Sequence, residues 1–362
     1  MKIIISGGGT GGHIYPAVSI IEELKKRDEE NEILYVGTEH GLENKIINDL
    51  GIPFKSIRVR GLPRKINKKS FIAIHELFKG LQESKNIISS FKPDVVIGTG
   101  GFVSGPILFS ATRKNILTVF HEQNSYPGIT NRILSNYVDF YFVTFKESLR
   151  HLKRPGHGIV TGNPIRNRFE NLGRREYSQF ELDSSKKTVF SFGGSNGSVS
   201  INKAILETLP QFAKTPNIQL IHVTGSKNYD KFLDSAGELP ENVKIYPYLN
   251  NIEQAYNITD LIITSSGAIT LAEISFLGIP SILIPKAYTT ENHQEYNARV
   301  YENIGAAKII LEKDLNGNSL YEDIMKIVSE DKKLEDMGKA AKSLAKPHAT
   351  EEIVHYIYKN LR

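Results

Sequence analysis

The chain has 362 residues, of which 40% are hydrophobic and 23% are charged, with a formal net charge of +5. This length is more than one hydrophobic core usually serves, so we expect two domains. The absence of cysteine excludes disulfides, thiolate metal sites and cysteine nucleophiles, and it fits a cytosolic location. No apolar run approaches the roughly 20 residues of a membrane-spanning helix. The positive charge favours an anionic partner, and on charge alone nucleic acid, anionic lipid and a phosphorylated substrate all remain open.

The first fifteen residues combine a strand, a glycine-rich turn and the start of a helix. Residues 2–6 form an apolar run typical of a strand, residues 7–13 read GGGTGGH, and apolar residues at helical spacing follow over 14–24. Glycines let the backbone approach a ligand, and the helix N-terminus favours an anion there. The turn matches G-x-G-x-x-G, which alone is a weak dinucleotide fingerprint. His13 in this positive field would be neutral and able to accept a proton, or it would be a surface histidine that caps the helix.

Strands and helices alternate through the rest of the first half. Strands are predicted at 32–36, 94–98, 117–120 and 140–143, with a second glycine-rich turn over 98–106. A basic stretch precedes the strand at 94–98, and its cations are Arg58, Arg60, Arg64, Lys65, Lys68 and Lys69. In the following segment 71–81, one helical face carries Phe71, Ile74, Phe78 and Leu81. The pattern fits either a membrane-docking face or a core helix behind a solvated loop.

The second half repeats the layout of the first. After a charged linker that ends near residue 187, strands are predicted at 188–192, 219–223, 243–246, 260–264, 281–285 and 308–311. Residues 193–197 restate the glycine turn, and 265–270 form another strand-to-helix turn. We therefore predict an α/β protein with two Rossmann-like doubly wound domains that face a central cleft, over residues 1–162 and 163–346. A last helix at about 347–362 is expected to pack back on the first domain.

Three side chains of the second half suit a nucleotide diphosphate. Glu273 could accept the ribose hydroxyls, or it could be an acid favoured by the helix dipole. Arg166 could hold a phosphate with its guanidinium or be a solvated linker charge. Ser195 could bind phosphate with neighbouring N–H groups or be a helix cap. Because the chain contains no Asp-x-Asp pair, we expect metal-independent stabilisation of the leaving group by helix dipoles and Arg166.

Six segments occur in the order found in one glycosyltransferase family. They are GGGTGGH at 7–13, GGFVSGP at 100–106, HEQN at 121–124, GNPIR at 162–166, GGSNG at 193–197 and SGAITLAE at 266–273. Over essentially the whole chain they resemble the MurG-type peptidoglycan glycosyltransferases of family 28. The resemblance implies a GT-B fold and inverting transfer of N-acetylglucosamine from UDP-GlcNAc. The acceptor would be the 4-hydroxyl of the muramoyl sugar of undecaprenyl-diphosphate-linked muramoylpentapeptide, so that lipid I becomes lipid II.

The same resemblance implies partners and residue roles. It implies no cofactor, no metal, no nucleic-acid partner and a peripheral location on the anionic cytoplasmic face of the cell membrane. His13 would be the general base for the acceptor hydroxyl. The residues that would bind UDP-GlcNAc are Thr10, Gly11, Gly12, Asn124, Arg166, Ser195, Leu249, Ala268, Ile269, Thr270, Leu271, Ala272, Glu273 and Gln294. The chain departs from the family at Asn196, where glutamine is usual, and at Phe102, where tyrosine is common.

Other functions remain open at this stage. An NAD-linked dehydrogenase would use residues 7–12 and needs an acid after the second strand, where Glu39 is only loosely placed. It also leaves the glycine turn at 193–197 without a role. A UDP-sugar sensor would need no base. The nearest alternative is another GT-B enzyme, either a different lipid glycosyltransferase or a UDP-GlcNAc 2-epimerase.

Overall fold

The computed structural model describes residues 1–61, 68–165, 169, 172–194, 197–288 and 290–361. The chain divides into two units. The first contains Met1–Arg166 together with Lys346–Arg362, and the second contains Asn167–Ala345. Each unit is built on its own sheet of parallel strands.

Within the described residues, the sheet of the first unit has seven parallel strands. They are β1 (Lys2–Ser6), β2 (Glu32–Gly37), β3 (Phe54–Ser56), β4 (Val95–Gly98), β5 (Leu117–Glu122), β6 (Phe140–Val143) and β7 (Gly158–Val160), in the order β3-β2-β1-β4-β5-β6-β7. The helices between them are α1 (Gly11–Arg27), α2 (Leu42–Asp49), α3 (Lys68–Phe91), α4 (Ser104–Ala111) and α5 (Ile129–Leu134). Because side chains alternate along a strand, Ile3 and Ile5 pack in one buried cluster with α1, while Ile4 packs in the opposite cluster with α4.

The sheet of the second unit has six parallel strands among the described residues. They are β8 (Lys187–Phe192), β9 (Ile218–Val223), β10 (Val243–Tyr246), β11 (Leu261–Thr264), β12 (Ser281–Leu283) and β13 (Ala307–Ile309), in the order β10-β9-β8-β11-β12-β13. Its helices are α6 (Val199–Phe212), α7 (Tyr229–Ala236), α8 (Ile252–Asn257), α9 (Ala268–Leu277), α10 (His293–Asn303), α11 (Gly317–Val328) and α12 (Asp331–Ser343). Both units therefore have the strand order of a doubly wound dinucleotide-binding fold.

Both sheets reverse their strand order beside their first strand. In the first unit Ser6, at the end of β1, pairs with Gly98 at the end of β4. In the second unit Phe192, at the end of β8, pairs with Thr264 at the end of β11. Ligands of such sheets bind beyond the carboxyl ends of the strands at this reversal, which is where all four glycine-containing turns begin.

The last helix of the chain, α13 (Ala349–Lys359), belongs to the first unit. Its residues Ile353, Val354 and Ile357 are buried in the same cluster as the apolar face of α1. The Asn31 amide donates a hydrogen bond of 2.9 Å to the Tyr358 hydroxyl, which ties this helix to the start of β2.

Helix α3 extends well beyond the predicted segment 71–81. Its last turns contribute Ile87 and Ile88 to the core of the first unit, whereas Phe71, Ile74 and Phe78 near its start are exposed. In the parts of the chain that the structure describes, no helix has both the length and the apolar character needed to span a bilayer.

The other differences from the predicted elements are two strands and several helices that the sequence did not predict, and a longer strand β5. The strands β3 and β7 were not predicted, because three residues are too few to show alternation. Helices α5, α8, α10, α11 and α12 were also not predicted. Strand β5 continues through His121 and Glu122, so only the second half of the HEQN segment lies in the loop.

We predict that Ile353→Ala lowers the free energy of unfolding of the first unit by about 2–5 kcal/mol, because this fully buried side chain would leave a cavity. Urea unfolding, read from amide hydrogen exchange in α1 and α13, measures the change. His355→Ala, on the exposed face of the same helix, is the matched control and should stay within about 0.5 kcal/mol of the parent chain. Equal losses in the two variants would contradict the packing of α13.

Candidate active site

His13 lies in the first turn of α1, directly after the first glycine turn. Its Nδ1 is 2.9 Å from the Gly8 carbonyl oxygen and 3.3 Å from the Thr10 hydroxyl. Because a carbonyl oxygen can only accept, Nδ1 must carry a proton in this hydrogen bond, and in the neutral ring Nε2 is then the nitrogen that can accept one. The glycine turn thus sets the tautomer that a general base acting through Nε2 requires.

The second glycine turn packs directly against His13. A Cβ atom at Gly100 would lie 2.9 Å from the His13 Cδ2, and one at Gly101 would overlap the Gly8 carbonyl oxygen. Both glycines also have positive φ values, of 100° and 79°. The Thr99 hydroxyl donates to the His13 carbonyl at 2.7 Å. A side chain at either of these two glycines would therefore displace the imidazole or the first turn.

The HEQN segment is mostly buried. His121 donates from Nε2 to the Gly162 carbonyl at 2.8 Å, and burial lowers its pKa to about 4, so its ring is neutral. The Gln123 amide donates to the Thr99 carbonyl at 2.8 Å. These side chains fix the end of β5 against the neighbouring segments, and Asn124 is the half-buried residue at its exit.

The Glu122 carboxylate holds the loop that starts with Asn124. Its Oε1 accepts from the backbone and side-chain nitrogens of Asn124 at 2.9 and 3.2 Å, and its Oε2 accepts from Gly128 and Asn131 at 3.1 and 2.9 Å. Burial raises the pKa of Glu122, and these donors oppose that shift. The sequence interpretation gave Glu122 no role, because only the folded loop brings these donors together.

In the second unit, the N-terminus of α9 follows β11 through Ser265–Gly267. Gly267 precedes the helix and gives it no side-chain cap. The first turn of α9 contains Ala268, Ile269 and Thr270, whose N–H groups have no partner within an α-helix by its geometry. Such a helix start is suited to bind an anionic group. Leu271 and Ala272 continue the turn, the first buried and the second half-buried.

Gln294 lies beside this helix start, in the first turn of α10. The Ser266 hydroxyl donates to the Gln294 carbonyl at 2.7 Å, which ties the beginnings of α9 and α10 together. The Gln294 side-chain oxygen accepts from the Lys286 N–H at 3.0 Å. Ser266 thereby joins two segments that are predicted to bind UDP-GlcNAc, residues 268–273 and Gln294.

Glu273 is held by a tyrosine that sequence reasoning missed. The Tyr256 hydroxyl is 3.0 Å from the Glu273 Oε2, and burial together with this carboxylate raises the pKa of Tyr256 well above its ordinary value. The phenol therefore stays neutral and donates to the carboxylate. Its ring packs edge-on against Phe169, Phe190 and Phe192. No pattern in the sequence marks this pair, which are 17 residues apart.

The remaining predicted residues are less closely connected. Leu249 is half-buried in the loop after β10, three strands from β11 in the sheet. Arg166, Ser195 and Asn196 lie outside the described residues. The cap of α6 is Ser198, whose hydroxyl accepts from Ile201 N–H at 3.4 Å. No group of three or more acidic or histidine side chains within the described ranges is arranged to hold a metal ion.

Both halves of the chain match one protein family. Residues 3–143 match the glycosyltransferase family 28 N-terminal domain, and residues 188–353 match the glycosyltransferase family 28 C-terminal domain. The chain belongs to glycosyltransferase family 28. It is a glycosyltransferase, as the motifs predicted.

Relatives of this family 28 chain are similar to it over nearly its full length. UDP-N-acetylglucosamine--N-acetylmuramyl-(pentapeptide) pyrophosphoryl-undecaprenol N-acetylglucosamine transferase of Finegoldia magna is 56% identical over 99% of this chain and 98% of that protein. The protein of the same name from Acetivibrio thermocellus is 43% identical over 99% of both.

Solved structures support the fold of this family 28 member. A crystal structure of Acinetobacter baumannii MurG has a TM-score of 0.81 and 25% identity over 99% of both chains. UDP-GlcNAc 2-epimerase from Neisseria meningitidis bound to UDP-GlcNAc has a TM-score of 0.70 at 16% identity, over 99% of this chain and 100% of that one, and it shares the fold alone. The predicted GT-B fold and the predicted family are confirmed.

We predict that Glu273→Ala weakens binding of UDP as well as UDP-GlcNAc about ten- to a hundredfold, because a charge-assisted hydrogen bond to ribose is worth ~1.5–3 kcal/mol. Tyr256→Phe should weaken both ligands less, since the carboxylate stays but loses its phenol partner. Calorimetry with UDP measures both changes. Glu335→Ala, an exposed acid on α12, is the control, and unchanged UDP affinity in Glu273→Ala would remove this carboxylate from the nucleotide site.

Proposed function

We propose that the chain transfers N-acetylglucosamine from UDP-GlcNAc to the 4-hydroxyl of the muramoyl sugar of undecaprenyl-diphosphate-linked muramoylpentapeptide, with inversion at the anomeric carbon. This is the step from lipid I to lipid II in peptidoglycan synthesis. The observation that carries the proposal is the hydrogen bond between His13 Nδ1 and the Gly8 carbonyl, which leaves Nε2 as the ring nitrogen that can take a proton. Two full-length relatives named for this transfer support it.

The first unit, with residues 1–162 and the helix over 347–362, serves the acceptor. His13 Nε2 takes the proton of the 4-hydroxyl as its oxygen bonds to the anomeric carbon, and the bond from that carbon to the diphosphate oxygen breaks. Thr10, Gly11, Gly12 and Asn124 approach the sugar-nucleotide from this unit. The Glu122 carboxylate supports this role by fixing both nitrogens of Asn124.

The second unit, over residues 163–346, holds the donor. The N-terminus of α9, from Ala268 to Thr270, stabilises the negative charge that develops on the departing diphosphate, together with Arg166 and Ser195. Leu271 and Ala272 continue that turn toward Glu273, which accepts hydrogen bonds from the ribose. Leu249 and Gln294 complete the site. The junction of Ser266 with Gln294 supports this grouping.

One assay tests the reaction. Incubation with UDP-GlcNAc and a soluble lipid I analogue should give the disaccharide product and UDP, whereas UDP-GlcNAc alone should stay unchanged. Formation of the 2-epimer from UDP-GlcNAc alone would instead indicate the epimerase function that shares this fold. Binding of UDP-GlcNAc without any product from either mixture would indicate a sensor.

A membrane surface is part of the proposal, and the exposed start of α3 supports it. Phe71 and Phe78 are 72% and 68% exposed, and Ile72 and Ile74 lie beside them on the same turns. Large apolar side chains in such a patch mark an interaction surface, and a lipid-carried acceptor calls for a protein that docks on the bilayer. Leu81 is half-buried, so it contributes less than the sequence suggested.

Two of the six predicted cations are paired with acids of α3. Arg58 and Arg60 form ion pairs with Glu83 and Glu76 of α3, at 2.5 and 2.7 Å. Their charge is therefore largely balanced within the protein. Arg64 and Lys65 lie outside the described residues, as do the side chains of Lys68 and Lys69. The proposal is a peripheral enzyme on the cytoplasmic membrane face, docked by the apolar start of α3 together with the predicted cations Arg64, Lys65, Lys68 and Lys69.

We predict that His13→Ala lowers kcat by ~10²–10⁴-fold while the donor KM changes little, since a positioned base contributes that much to the chemical step alone. Steady-state kinetics with the soluble acceptor analogue measures both constants. His355→Ala removes an exposed histidine of the same unit and should leave them unchanged. A near-normal kcat in His13→Ala would end the assignment of this residue as the base.

We predict that the pair Phe71→Ser and Phe78→Ser weakens binding to anionic phospholipid vesicles by about tenfold or more, because burying one such side chain is worth ~1.5–3 kcal/mol. Co-sedimentation with vesicles measures the change, and turnover of a soluble acceptor should persist. Ile304→Ser, at an exposed site of the second unit, is the control. Replacing Arg64, Lys65, Lys68 and Lys69 by glutamine tests the cations separately. Undiminished vesicle binding in both sets of variants would place the docking face elsewhere.

A further inference from the structure

Glu43 is a fully buried acid directly behind the first glycine turn. It belongs to the first turn of α2, which follows β2. Its Oε2 accepts the Gly9 N–H at 3.2 Å, and its Oε1 accepts the N–H and the hydroxyl of Thr38 at 3.0 and 2.6 Å. Three donors thus compensate the burial of this side chain, and one of them belongs to the turn that precedes His13.

Three glycines make room for the Glu43 side chain. A Cβ atom at Gly8 would lie 2.6 Å from the Glu43 Cδ, one at Gly37 would lie 2.8 Å from its Cγ, and one at Gly41 would overlap its Oε1. These glycines come from the turn after β1, the end of β2 and the residue before α2. The space is therefore shaped around a carboxylate side chain at this position.

A second buried side chain holds the same turn two residues earlier, at Gly7. The Tyr35 hydroxyl donates to the Gly7 carbonyl at 2.6 Å, and its ring is fully buried. Gly7 and Gly9 are thus both hydrogen-bonded to buried side chains, Gly7 to Tyr35 and Gly9 to Glu43. Gly8 lies between them, and its carbonyl is the acceptor for the His13 Nδ1.

We propose that Glu43 is a positioning residue for the transfer reaction. By holding the Gly9 N–H, it keeps the Gly8 carbonyl where it accepts from His13 Nδ1, and this keeps Nε2 as the nitrogen that takes the proton. The inference rests on the proposed role of His13 as the base. It also assigns the Gly9 N–H to a carboxylate of the protein, in a turn whose G-x-G-x-x-G pattern would otherwise offer that N–H to a phosphate.

Glu43→Gln tests the proposal with almost no change of volume. The glutamine oxygen can still accept from Thr38, but its NH₂ group would face the Gly9 N–H, so two donors would meet. We expect kcat to fall about ten- to a hundredfold, because a displacement of about 1 Å at a catalytic group can cost that much, with little change in the donor KM. Lys45→Gln, at an exposed position of the same helix, is the matched control.

A double-variant cycle separates positioning from a general loss of stability. If Glu43 acts through His13, then Glu43→Gln should have little further effect in a His13→Ala background. A purely structural role predicts the same fold-loss in both backgrounds and would overturn the proposal. A normal kcat for Glu43→Gln, beside an impaired His13→Ala, would overturn it as well.

Nitrogen-15 NMR of the imidazole gives a readout that does not depend on activity. The His13 signal, assigned by its absence in His13→Ala, should show the Nδ1–H tautomer in the parent chain and a mixture of tautomers in Glu43→Gln. If Glu43→Gln shows the same His13 tautomer as the parent chain, the proposal is overturned. Full activity of His13→Ala is a separate outcome, and it would count only against the assignment of His13 as the base. If Glu43→Gln fails to fold, Glu43→Asp replaces it, since the shorter side chain cannot reach Gly9 and Thr38 together.

Discussion

The hydrogen bond from His13 Nδ1 to the Gly8 carbonyl is the constraint around which the first unit is arranged. It brings the turn after β1 back against the first turn of α1, and the turn after β4 packs against the same ring. The pairing of Ser6 with Gly98 brings both turns to the same edge of the sheet. Glycine at positions 100 and 101 then lets the second turn approach closely, because any Cβ there would meet the ring or the first turn.

The loops at this edge are fixed by buried carboxylates rather than by apolar packing. Glu43 holds the first glycine turn, and Glu122 holds the segment from Asn124 to Asn131. A buried acid without partners would cost several kcal/mol, so each must be surrounded by N–H or O–H donors. Those donors are backbone N–H groups and side chains of the loops and of the first turn of α5. Each acid therefore restricts the conformation of the loop that it binds. In the second unit the acid is again the acceptor, but here the donor, the Tyr256 hydroxyl, belongs to the fully buried residue and Glu273 is half-buried.

The sequence predicted the elements and turns that a local residue pattern marks. It did not predict the roles of side chains that depend on contacts between residues far apart in the chain. Strands such as β4 and β8 could be recognised because both faces are buried, which leaves continuous β-branched or apolar runs. The glycine turns could be recognised because glycines cluster between an apolar strand and a helix-like run, and His13 because it ends the first of these clusters. Glu43 could not, since an acid in the first turn of a helix is ordinary in sequence, and its partner Gly9 is 34 residues away. The exposed start of α3 has the same period as a core helix, so only the fold shows that Phe71 and Phe78 are uncovered.

The first turn shows why a glycine pattern alone does not define a ligand. Glycines determine which backbone shapes are accessible, and many functions need a tight turn between a strand and a helix. What the turn can bind depends on which of its N–H groups remain available and on the charge behind them. In a dinucleotide-binding turn these groups face a diphosphate. Here the N–H of Gly9, the second glycine of the pattern, donates to the Glu43 carboxylate. An N–H group that is bonded to a side chain of the protein is not available to a diphosphate, and this counts against the dehydrogenase alternative.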